Sequence, residues 1–357
     1  MTFSLSVIVP NLNDARHLPG ALDALLSQDQ PAKEIFVVDD CSDDDSRRVI
    51  EDYARRCPAI HPVFRTRTMG VVAAMNEFAR KATGEYLYFA AADDRVLPGF
   101  FAAVRDQFET HPGAGLCSSL CRATDEDGKD LGVIHSPRPS RTESIYISPG
   151  EGRRLLLGHD SWVIGNTAVY RREAVLAEGG FVPELHGFSD GFMHRLMILK
   201  HGACFMPKVF ACMRQREGSI SNRTNTDPAI LADVLNRASI LMREDPDRRF
   251  SPAYIERWRR RTRFGAMRLQ LAGAAPTFRA MRQQGLSAAD ALLVRALTAA
   301  RLRRLAGVSL FARMRPFDIL PMVQHRMGFW KSRTQNKAEP VGVRAQGPGF
   351  GKSERSA

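Results

Sequence analysis

The apolar residues of the first hundred positions follow two alternating patterns. Short runs of β-branched and aromatic residues, each closed by a turn or a charge, are typical of buried strands. Between these runs apolar residues recur every three to four positions, as Leu18, Leu22 and Leu25 do, and this spacing predicts helices. The predicted strands are residues 4–10, 34–40, 61–67 and 85–91, and the predicted helices are residues 18–26, 46–57 and 70–83.

Strands that alternate with helices predict parallel βαβ units joined by right-handed crossovers. The fold class that follows is α/β, with a mostly parallel Rossmann-like sheet. In such sheets ligands bind beyond the carboxyl ends of the strands. The first strand–helix junction reads PNLND and lacks the glycine pattern GxGxxG, which argues against the commonest nicotinamide- and flavin-binding folds.

The residues that follow the predicted strands are mostly polar or charged, and the topology places them along one edge of the sheet. At the end of the second strand, Asp39 and Asp40 could accept hydrogen bonds from a base or a ribose hydroxyl, or could belong to an acidic helix start. After the fourth strand, Asp93 and Asp94 could reach Mg²⁺ or Mn²⁺, or could form an ordinary turn. The other two strand ends carry Pro10–Asn11 and Arg65–Arg67.

Two further candidates lie between residues 188 and 216. A helix predicted over residues 188–202 has Asp190 in its first turn, where a carboxylate either stabilises the helix or acts as a general base. Arg214 and Arg216 follow a segment that reads as two short strands around Pro207. Their guanidinium groups match phosphate geometry, although on spacing alone solvated surface charge is the favoured interpretation.

Beyond about residue 228 the pattern becomes helical, with arginine between apolar positions. Residues 251–357 carry 21 Lys and Arg against 5 Asp and Glu, whereas residues 1–250 carry 30 against 34. The net charge of +12 therefore belongs to the C-terminal part, and no nucleic-acid partner is expected for the chain as a whole. The predicted organisation is an α/β domain over residues 1–227, a basic α-helical region over 228–330 and a disordered tail over 331–357.

The sequence also bears on the compartment. No uninterrupted apolar run reaches ~18 residues, so no membrane-spanning helix is predicted. The N-terminus lacks the basic segment of a signal peptide, and the six cysteines lack metal-site spacing, so reduced thiols in the cytoplasm are expected. The basic helices at 253–271 and 292–306 either make a peripheral contact with the anionic inner face of the cell membrane or pack on the α/β domain.

Four segments, in their order along the chain, resemble glycosyltransferase family 2. They are SVIVPNLNDARHLPGALDALLSQ, EIFVVDDCSDD, GVVAAMNEFARKATGEYLYFAAADDRVLPG, and finally GGF followed by SDGFMHRLMILKHG and RQREGSIS. The resemblance covers about residues 4–222 and implies a nucleotide-sugar transferase of the A-type fold, GT-A. It further implies Mg²⁺ or Mn²⁺ as cofactor, a nucleotide-diphosphate sugar as donor with UDP favoured, and a sugar or lipid-linked acceptor. By analogy the product enters cell-surface polysaccharide or glycolipid assembly.

The family's motifs imply roles for residues of this sequence. Asp93 matches the last aspartate of the family's DxD motif, the metal ligand that bridges to the diphosphate. Asp190 matches the catalytic base of an inverting displacement. The residues implied in nucleotide-sugar binding are Pro10, Asn11, Asp39, Asp40, Arg67, Asn76, Asp93, Asp94, Arg214 and Arg216.

The chain departs from the family pattern at two positions. Ala91 replaces the first aspartate of the DxD motif, which predicts a weaker metal affinity, and Ser189 replaces the glutamate that usually precedes the base. Ala91 also leaves open a second hypothesis, a catalytically impaired protein that only binds nucleotide sugars. A third, a nucleotidyltransferase, predicts a glycine-rich phosphate loop near the first strand, where this chain has PNLND.

Overall fold

A mixed β-sheet forms the centre of the computed structural model, which describes residues 3–134, 136–216, 219–272 and 277–319. Its strands arise where the sequence has its apolar runs. Within the described residues they are β1 (Leu5–Asn11), β2 (Glu34–Asp39), β3 (Ile60–Phe64), β4 (Tyr86–Phe89), β5 (Arg95–Val96), β6 (Leu116–Thr124), β7 (Asp130–Val133), β8 (Ile145–Ile147), β9 (Val169–Arg171) and β10 (Ala203–Arg214).

The order of the strands confirms the predicted fold class. β3, β2, β1 and β4 lie side by side and parallel, and the sheet continues through β9, β6 and β10 to β5. β9 is antiparallel to both of its neighbours, whereas β6 and β10 form a long parallel pair. β7 pairs with β6, and β8 pairs with β10. The protein is therefore α/β, with most paired residues in parallel ladders, as the alternation of strands and helices predicted.

The helices lie where apolar residues recur at helical spacing. In the described residues they are α1 (Leu18–Leu26), α2 (Ser46–Arg56), α3 (Val71–Lys81), α4 (Phe100–Thr110), α5 (Pro149–His159), α6 (Arg172–Ala177), α7 (Ser189–His201), α8 (Ile220–Thr226), α9 (Pro228–Arg243), α10 (Pro252–Ala272), α11 (Phe278–Gln283), α12 (Ala288–Ala299) and α13 (Arg303–Met314). Short 3₁₀ turns span Gly165–Thr167, Pro183–Phe188 and Pro316–Asp318.

The sheet has a hydrophobic core on each face. Along β1, Val7 and Val9 pack with α1, α2 and α4, while Ile8 between them packs with α3, α6 and α7. This alternation is what a strand buried on both faces requires. The carboxyl ends of the parallel strands form one edge of the sheet. This is the edge at which the sequence has its polar residues.

Helices α9 and α10 continue the core that contains α3 and α7. Leu235 and Met242 of α9 and Trp258 of α10 are buried in it, and the shared core extends to Ala266. A separate core begins at Met267 and holds the end of α10 together with α11–α13. The compact unit ends at Pro316. The boundaries predicted at residues 227 and 330 stay predictions, and the tail predicted at 331–357 lies outside the described residues.

Two local predictions have a direct outcome. The segment around Pro207 is one long strand, β10, and not two, but its register shifts between Met206 and Val209 because proline has no N–H to donate to a ladder. Among the helices of the described residues, none has the length and apolarity needed to cross a bilayer.

Candidate active site at the carboxyl edge of the sheet

The ends of β1 and β2 form a buried polar pair. Asn11 lies opposite Asp39 in the parallel register, and its Nδ2 donates to Asp39 Oδ1 at 2.8 Å. Ser42 Oγ donates to the same carboxylate oxygen at 2.6 Å. Asn11 Oδ1 is buried and makes no hydrogen bond within the described part of the chain. Pro10, which precedes Asn11, completes this end of the edge.

Asp40 organises the connection between β3 and α3. Its carboxylate accepts hydrogen bonds from the N–H groups of Met69 and Gly70 and pairs with Arg65 at 2.9 Å. Burial alone would raise the pKa of Asp40, but these donors outweigh it and hold the pKa below its usual value. Arg67 is exposed on the loop that Asp40 anchors. The geometry thus makes Asp40 an anchor of the loop that presents Arg67.

The turn after β4 directs two carboxylates differently. Asp94 is buried, and its oxygens accept from the N–H of Arg214 at 2.8 Å and from Asn166 Nδ2 at 3.0 Å. Asp93 is 15% exposed, and its Oδ2 lies 2.8 Å from Arg216 Nε. Burial and the neighbouring Asp93 charge raise the pKa of Asp94 to about 7. Asp93 is therefore the carboxylate of this turn that is accessible to a ligand.

Arg216 joins this turn to the loop after β1. Its Nη1 and Nη2 donate to the two carboxylate oxygens of Asp14, at 2.6 and 3.1 Å, while its Nε contacts Asp93. Sequence reasoning missed Asp14, because it reads only as a loop residue before α1 and its partner lies 202 residues away. The guanidinium therefore bridges the carboxylates of Asp14 and Asp93.

The bridge brings together carboxylate oxygens, the donor type that hard divalent cations prefer. Asp14 and Asp93 both offer carboxylate oxygens, and a positive group, the Arg216 guanidinium, already lies between them. Mg²⁺ binds through one or two carboxylates and takes its other ligands from phosphates and water. No cluster of three or more His, Cys, Asp or Glu side chains in the described residues could hold a metal, so a cation here would depend on phosphate oxygens of a bound nucleotide.

The 3₁₀ turn at Gly165–Thr167 brings helix α7 close to the Asp93–Asp94 turn. A methyl group added at Gly165 would collide with Oδ2 of Asp190, and the next residue, Asn166, donates to Asp94. Consecutive Cα atoms are only about 3.8 Å apart, so the carboxylates of Asp190 and Asp94 flank one short segment of backbone. Gly165 and Asn166 carried no signal in the sequence, since neither belongs to a recognisable motif.

The surroundings of Asp190 act on its pKa in opposite directions. Burial raises its pKa above the usual aspartate value, while the Gly191 N–H, at 2.6 Å from Oδ1, and the charge of Arg195 oppose the rise. A general base works best when its pKa approaches the operating pH. The environment of Asp190 shifts its pKa in that direction.

Arg195 is held by residues from both sides of the predicted domain boundary. Its Nη2 pairs with Asp160 at 2.7 Å, its Nε donates to the hydroxyl of Tyr254 at 2.5 Å, and its Nη1 donates to the carbonyl of Gly191. Tyr254 also donates to Asp160, closing the network. Since Tyr254 belongs to α10, the basic helical region contributes to the support of the helix that carries Asp190.

We expect Arg195→Met to move the acidic limb of the pH–rate profile to higher pH. In the predicted role of Asp190 as general base, its ionised form accepts the proton. Loss of the neighbouring positive charge raises the pKa of Asp190, so a higher pH is needed to ionise it. The variant also leaves Asp160 without its arginine, which should cost about 3–5 kcal/mol of folding free energy. The measurement is kcat/KM against pH, with thermal unfolding in parallel.

Two companions separate charge from architecture in this test. Arg195→Lys keeps a positive charge, and Tyr254→Phe removes one hydroxyl from the network while Arg195 stays. Both should leave the acidic limb near its wild-type position. An Arg195→Met enzyme with an unshifted limb would contradict the electrostatic role of this arginine.

Asn76 lies on α3, and its side chain forms hydrogen bonds with the backbone of the segment between α6 and α7. Its Nδ2 donates to the carbonyl of Phe181 at 2.7 Å, and its Oδ1 accepts from the Phe181 N–H at 2.8 Å. Gly180 is required beside it, because a methyl group there would meet the Asn76 amide and its φ is +86°. Asn76 thus positions the segment that leads to Asp190, and its predicted part in nucleotide-sugar binding stays a prediction.

Most predicted site residues therefore meet at one edge, in two groups. The first group lies at the ends of β1 and β2 and consists of Pro10, Asn11 and Asp39. The second group lies around the turn after β4 and the 3₁₀ turn at Gly165–Thr167, and it consists of Asp93, Asp94, Arg214, Arg216 and Asp190. Arg214 itself donates from its guanidinium to the backbone carbonyls of Asp93 and Asp125, at 3.4 and 3.1 Å, and so braces the turn. Asp40, Arg67 and Asn76 lie in and beside the loops that border these groups.

Comparison with known proteins agrees with this architecture. An uncharacterized protein of Mycobacterium tuberculosis is 28% identical over 244 residues, which is 66% of this chain and 74% of the relative. An uncharacterized glycosyltransferase of Nostoc is 31% identical over 48% of this chain and 52% of its own length. The putative teichuronic acid biosynthesis glycosyltransferase TuaG of Bacillus subtilis is 32% identical over 26% of this chain and 36% of its own length.

Solved structures share the fold over most of the chain. Staphylococcus aureus TarS 1–349 in complex with UDP-GlcNAc superposes with a TM-score of 0.59 at 17% identity, covering 91% of this chain and 92% of TarS 1–349. The mannosyltransferase PcManGT of Pyrobaculum calidifontis, in complex with GDP-Man and Mn²⁺, gives 0.51 at 20% identity and covers 88% of each chain. The model of the Glycosyl transferase family 2 matches residues 6–177, which contain β1, β2, β4 and the Asp93–Asp94 turn. The match confirms the predicted resemblance of this part of the chain to glycosyltransferase family 2.

Proposed function

We propose that the protein is an inverting glycosyltransferase, which moves a sugar from a nucleotide-diphosphate donor to an acceptor hydroxyl. The observation that carries the proposal is the meeting of Asp190 and Asp94 at the consecutive residues Gly165 and Asn166. One short turn thereby sets a proton acceptor beside the turn that holds Asp93. The match to the family model over residues 6–177 supports the reaction class.

The charged residues of the site have different parts in the reaction. Asp190 takes the proton from the acceptor hydroxyl while the hydroxyl oxygen forms its bond to the anomeric carbon. The bond from that carbon to the diphosphate breaks, and its electron pair leaves with the nucleotide diphosphate. Because attack and departure occur on opposite faces, the anomeric configuration inverts. Arg216, at 2.8 Å from Asp93, supplies positive charge where the leaving group gains negative charge.

A divalent cation completes this assignment. Asp93 would hold it, with Asp14 as the nearest further carboxylate. When bound, Mg²⁺ or Mn²⁺ neutralises charge on the diphosphate. The Mn²⁺ and GDP-Man in PcManGT support a metal-dependent donor site in this fold.

The donor end of the site is assigned to Pro10, Asn11 and Asp39. The unpartnered Oδ1 of buried Asn11 suits an N–H or hydroxyl of the nucleoside, and a UDP-sugar is the favoured donor. The UDP-GlcNAc complex of TarS supports that choice. The acceptor is a sugar or lipid-linked sugar of a polysaccharide or glycolipid pathway, and the name of TuaG, which refers to teichuronic acid biosynthesis, supports it.

A thermal-shift screen with UDP-, GDP- and dTDP-sugars, with Mg²⁺ or Mn²⁺ present, tests the proposal. A donor at a hundred times its Kd should stabilise the fold by about 2.7 kcal/mol, which appears as a rise in Tm. The same donor should then be hydrolysed or transferred by the purified protein, with release of the nucleotide diphosphate. If no nucleotide sugar raises Tm, the proposed function is wrong.

A second candidate, a nucleotide-sugar-binding protein without transfer activity, is favoured by Ala91. The first aspartate of the DxD motif is missing, and Asp93 is paired with Arg216. This candidate predicts a rise in Tm with no product, even when a mixture of oligosaccharide and lipid-linked acceptors is supplied. Donor turnover in the same assay excludes it.

A further inference from the structure

The two basic segments singled out in the sequence have different surroundings. On α10, the side chain of Arg259 donates to the carbonyl of Leu235, and Arg261 donates to the carbonyls of Leu156 and Leu157. The same helix buries Trp258 in the main core. Arg259 and Arg261 of α10 therefore hold this helix on the α/β core.

The pair α12 and α13 presents apolar side chains to solvent. Val294 of α12 and Leu310 of α13 are both buried in the second core. Five other large apolar side chains, on the two helices and on the link between them, are exposed to solvent by 45% to 65%. These residues are Leu292, Leu293, Leu302, Leu305 and Val308. A monomeric protein in water seldom gathers so many exposed leucines within seventeen residues.

The charge among these leucines is of one sign. Residues 291–316 contain six arginines and no Asp, Glu or Lys. Arg295, Arg301 and Arg304 are exposed within the apolar stretch. Asp290, at the start of α12, is paired with Arg313 at 3.0 Å and so compensates one of the six arginines. This surface, which we call the α12–α13 surface, thus combines the exposed apolar side chains with the positive charge of Arg295, Arg301 and Arg304.

We propose that the α12–α13 surface binds the face of an anionic lipid bilayer, with the leucines in the acyl-chain boundary and the arginines at the phosphate groups. An amphipathic surface of this composition lies in the plane of the interface. Each helix has 12 residues, too few to span the hydrocarbon core. A nucleic acid would leave the leucines in water, and an acidic protein would not require five exposed apolar side chains around three arginines.

Co-sedimentation of the full chain with vesicles tests the proposal. One set of vesicles is phosphatidylcholine alone and the other contains phosphatidylglycerol. We expect binding to the anionic vesicles and little to the neutral ones, with binding reduced by salt. The double variant Leu292→Glu/Leu305→Glu should lose at least about tenfold in partitioning, and Arg301→Gln/Arg304→Gln about fivefold for each arginine removed.

Matched variants elsewhere control for exposure and charge. Leu131→Glu alters an equally exposed leucine on β7, and Arg48→Gln removes an exposed arginine of α2. Both should bind vesicles like the wild type. All variants change exposed side chains, and thermal unfolding of each checks that the fold is kept.

Three outcomes would overturn the proposal. The wild type fails to bind anionic vesicles, or the α12–α13 variants bind as well as Leu131→Glu, or the leucine variant abolishes a dimer seen by sedimentation velocity without any vesicle binding. The last result would assign the surface to a second copy of the chain. Because the assay contains no donor or acceptor, it stands or falls independently of the proposed transfer reaction.

Discussion

Asp190→Asn should keep nucleotide-sugar binding and lower sugar transfer by about 10²–10⁴-fold, the usual contribution of a general base. Asparagine has nearly the shape of aspartate, so the turn at Gly165 and the α7 helix should keep their geometry. The amide has no basic oxygen to accept the acceptor's proton, and the loss should fall on kcat. The measurement is initial rate against donor concentration, with the donor-induced rise in Tm recorded on the same preparation.

Substitution of Gly165 is an independent test of the role of the Asp190 carboxylate. In Gly165→Ala the new methyl group meets Asp190 Oδ2, so the base must move and transfer should fall while Asp190 stays intact. Gly158→Ala is the control, since a methyl group at that position of α5 meets nothing within 4 Å. Asp106→Asn, at an exposed carboxylate of α4, controls for the loss of a charge. Full transfer by Asp190→Asn would refute its assignment as the base.

Asp93→Ala should abolish both metal binding and transfer, with activity reduced by about 10²–10³-fold or more, the scale for losing one electrostatic group at a developing charge. Removal of divalent cations with a chelator should have the same effect on the wild type and be reversed by Mg²⁺ or Mn²⁺. The direct measurement is the binding of Mn²⁺ in the presence of UDP, detected by electron paramagnetic resonance. Since Ala91 leaves one carboxylate fewer, the affinity for the metal should depend strongly on the nucleotide.

Asp130→Asn is the matched control for this substitution. It removes a half-exposed carboxylate of β7 that pairs with Arg122, outside the site. This variant should bind Mn²⁺ with UDP and transfer sugar like the wild type. A wild-type enzyme that is indifferent to chelator would eliminate the metal from the proposed mechanism.

The sequence predicted the sheet and its functional edge because both depend on local patterns. Apolar runs of the right length, followed by Asn11, Asp39 or Asp93, determine which strands are buried and where their polar ends lie. Because strands joined by helices are parallel, their carboxyl ends lie at the same edge, whatever the order of the strands in the sheet.

The parts that could not be predicted depend on contacts between distant segments. Asp14 pairs with Arg216, and Asn166 donates to Asp94 72 residues away, yet in the sequence each is an ordinary loop residue. The burial of Tyr254 beside Arg195 likewise requires the packing of α10 on α7. Amphipathic periodicity indicated that the C-terminal helices have an apolar face, but not which surface covers it.

Helix α10 has a consequence for synthesis on the ribosome. The last central strand of the sheet ends at Arg214, but the core on one of its faces is complete only at Ala266. At ~5–20 residues per second the chain needs about three to ten seconds to make the intervening fifty or so residues. During this interval the apolar side chains that α9 and α10 later cover face water or a chaperone. The nascent sheet is therefore most prone to aggregation just after its own strands are finished.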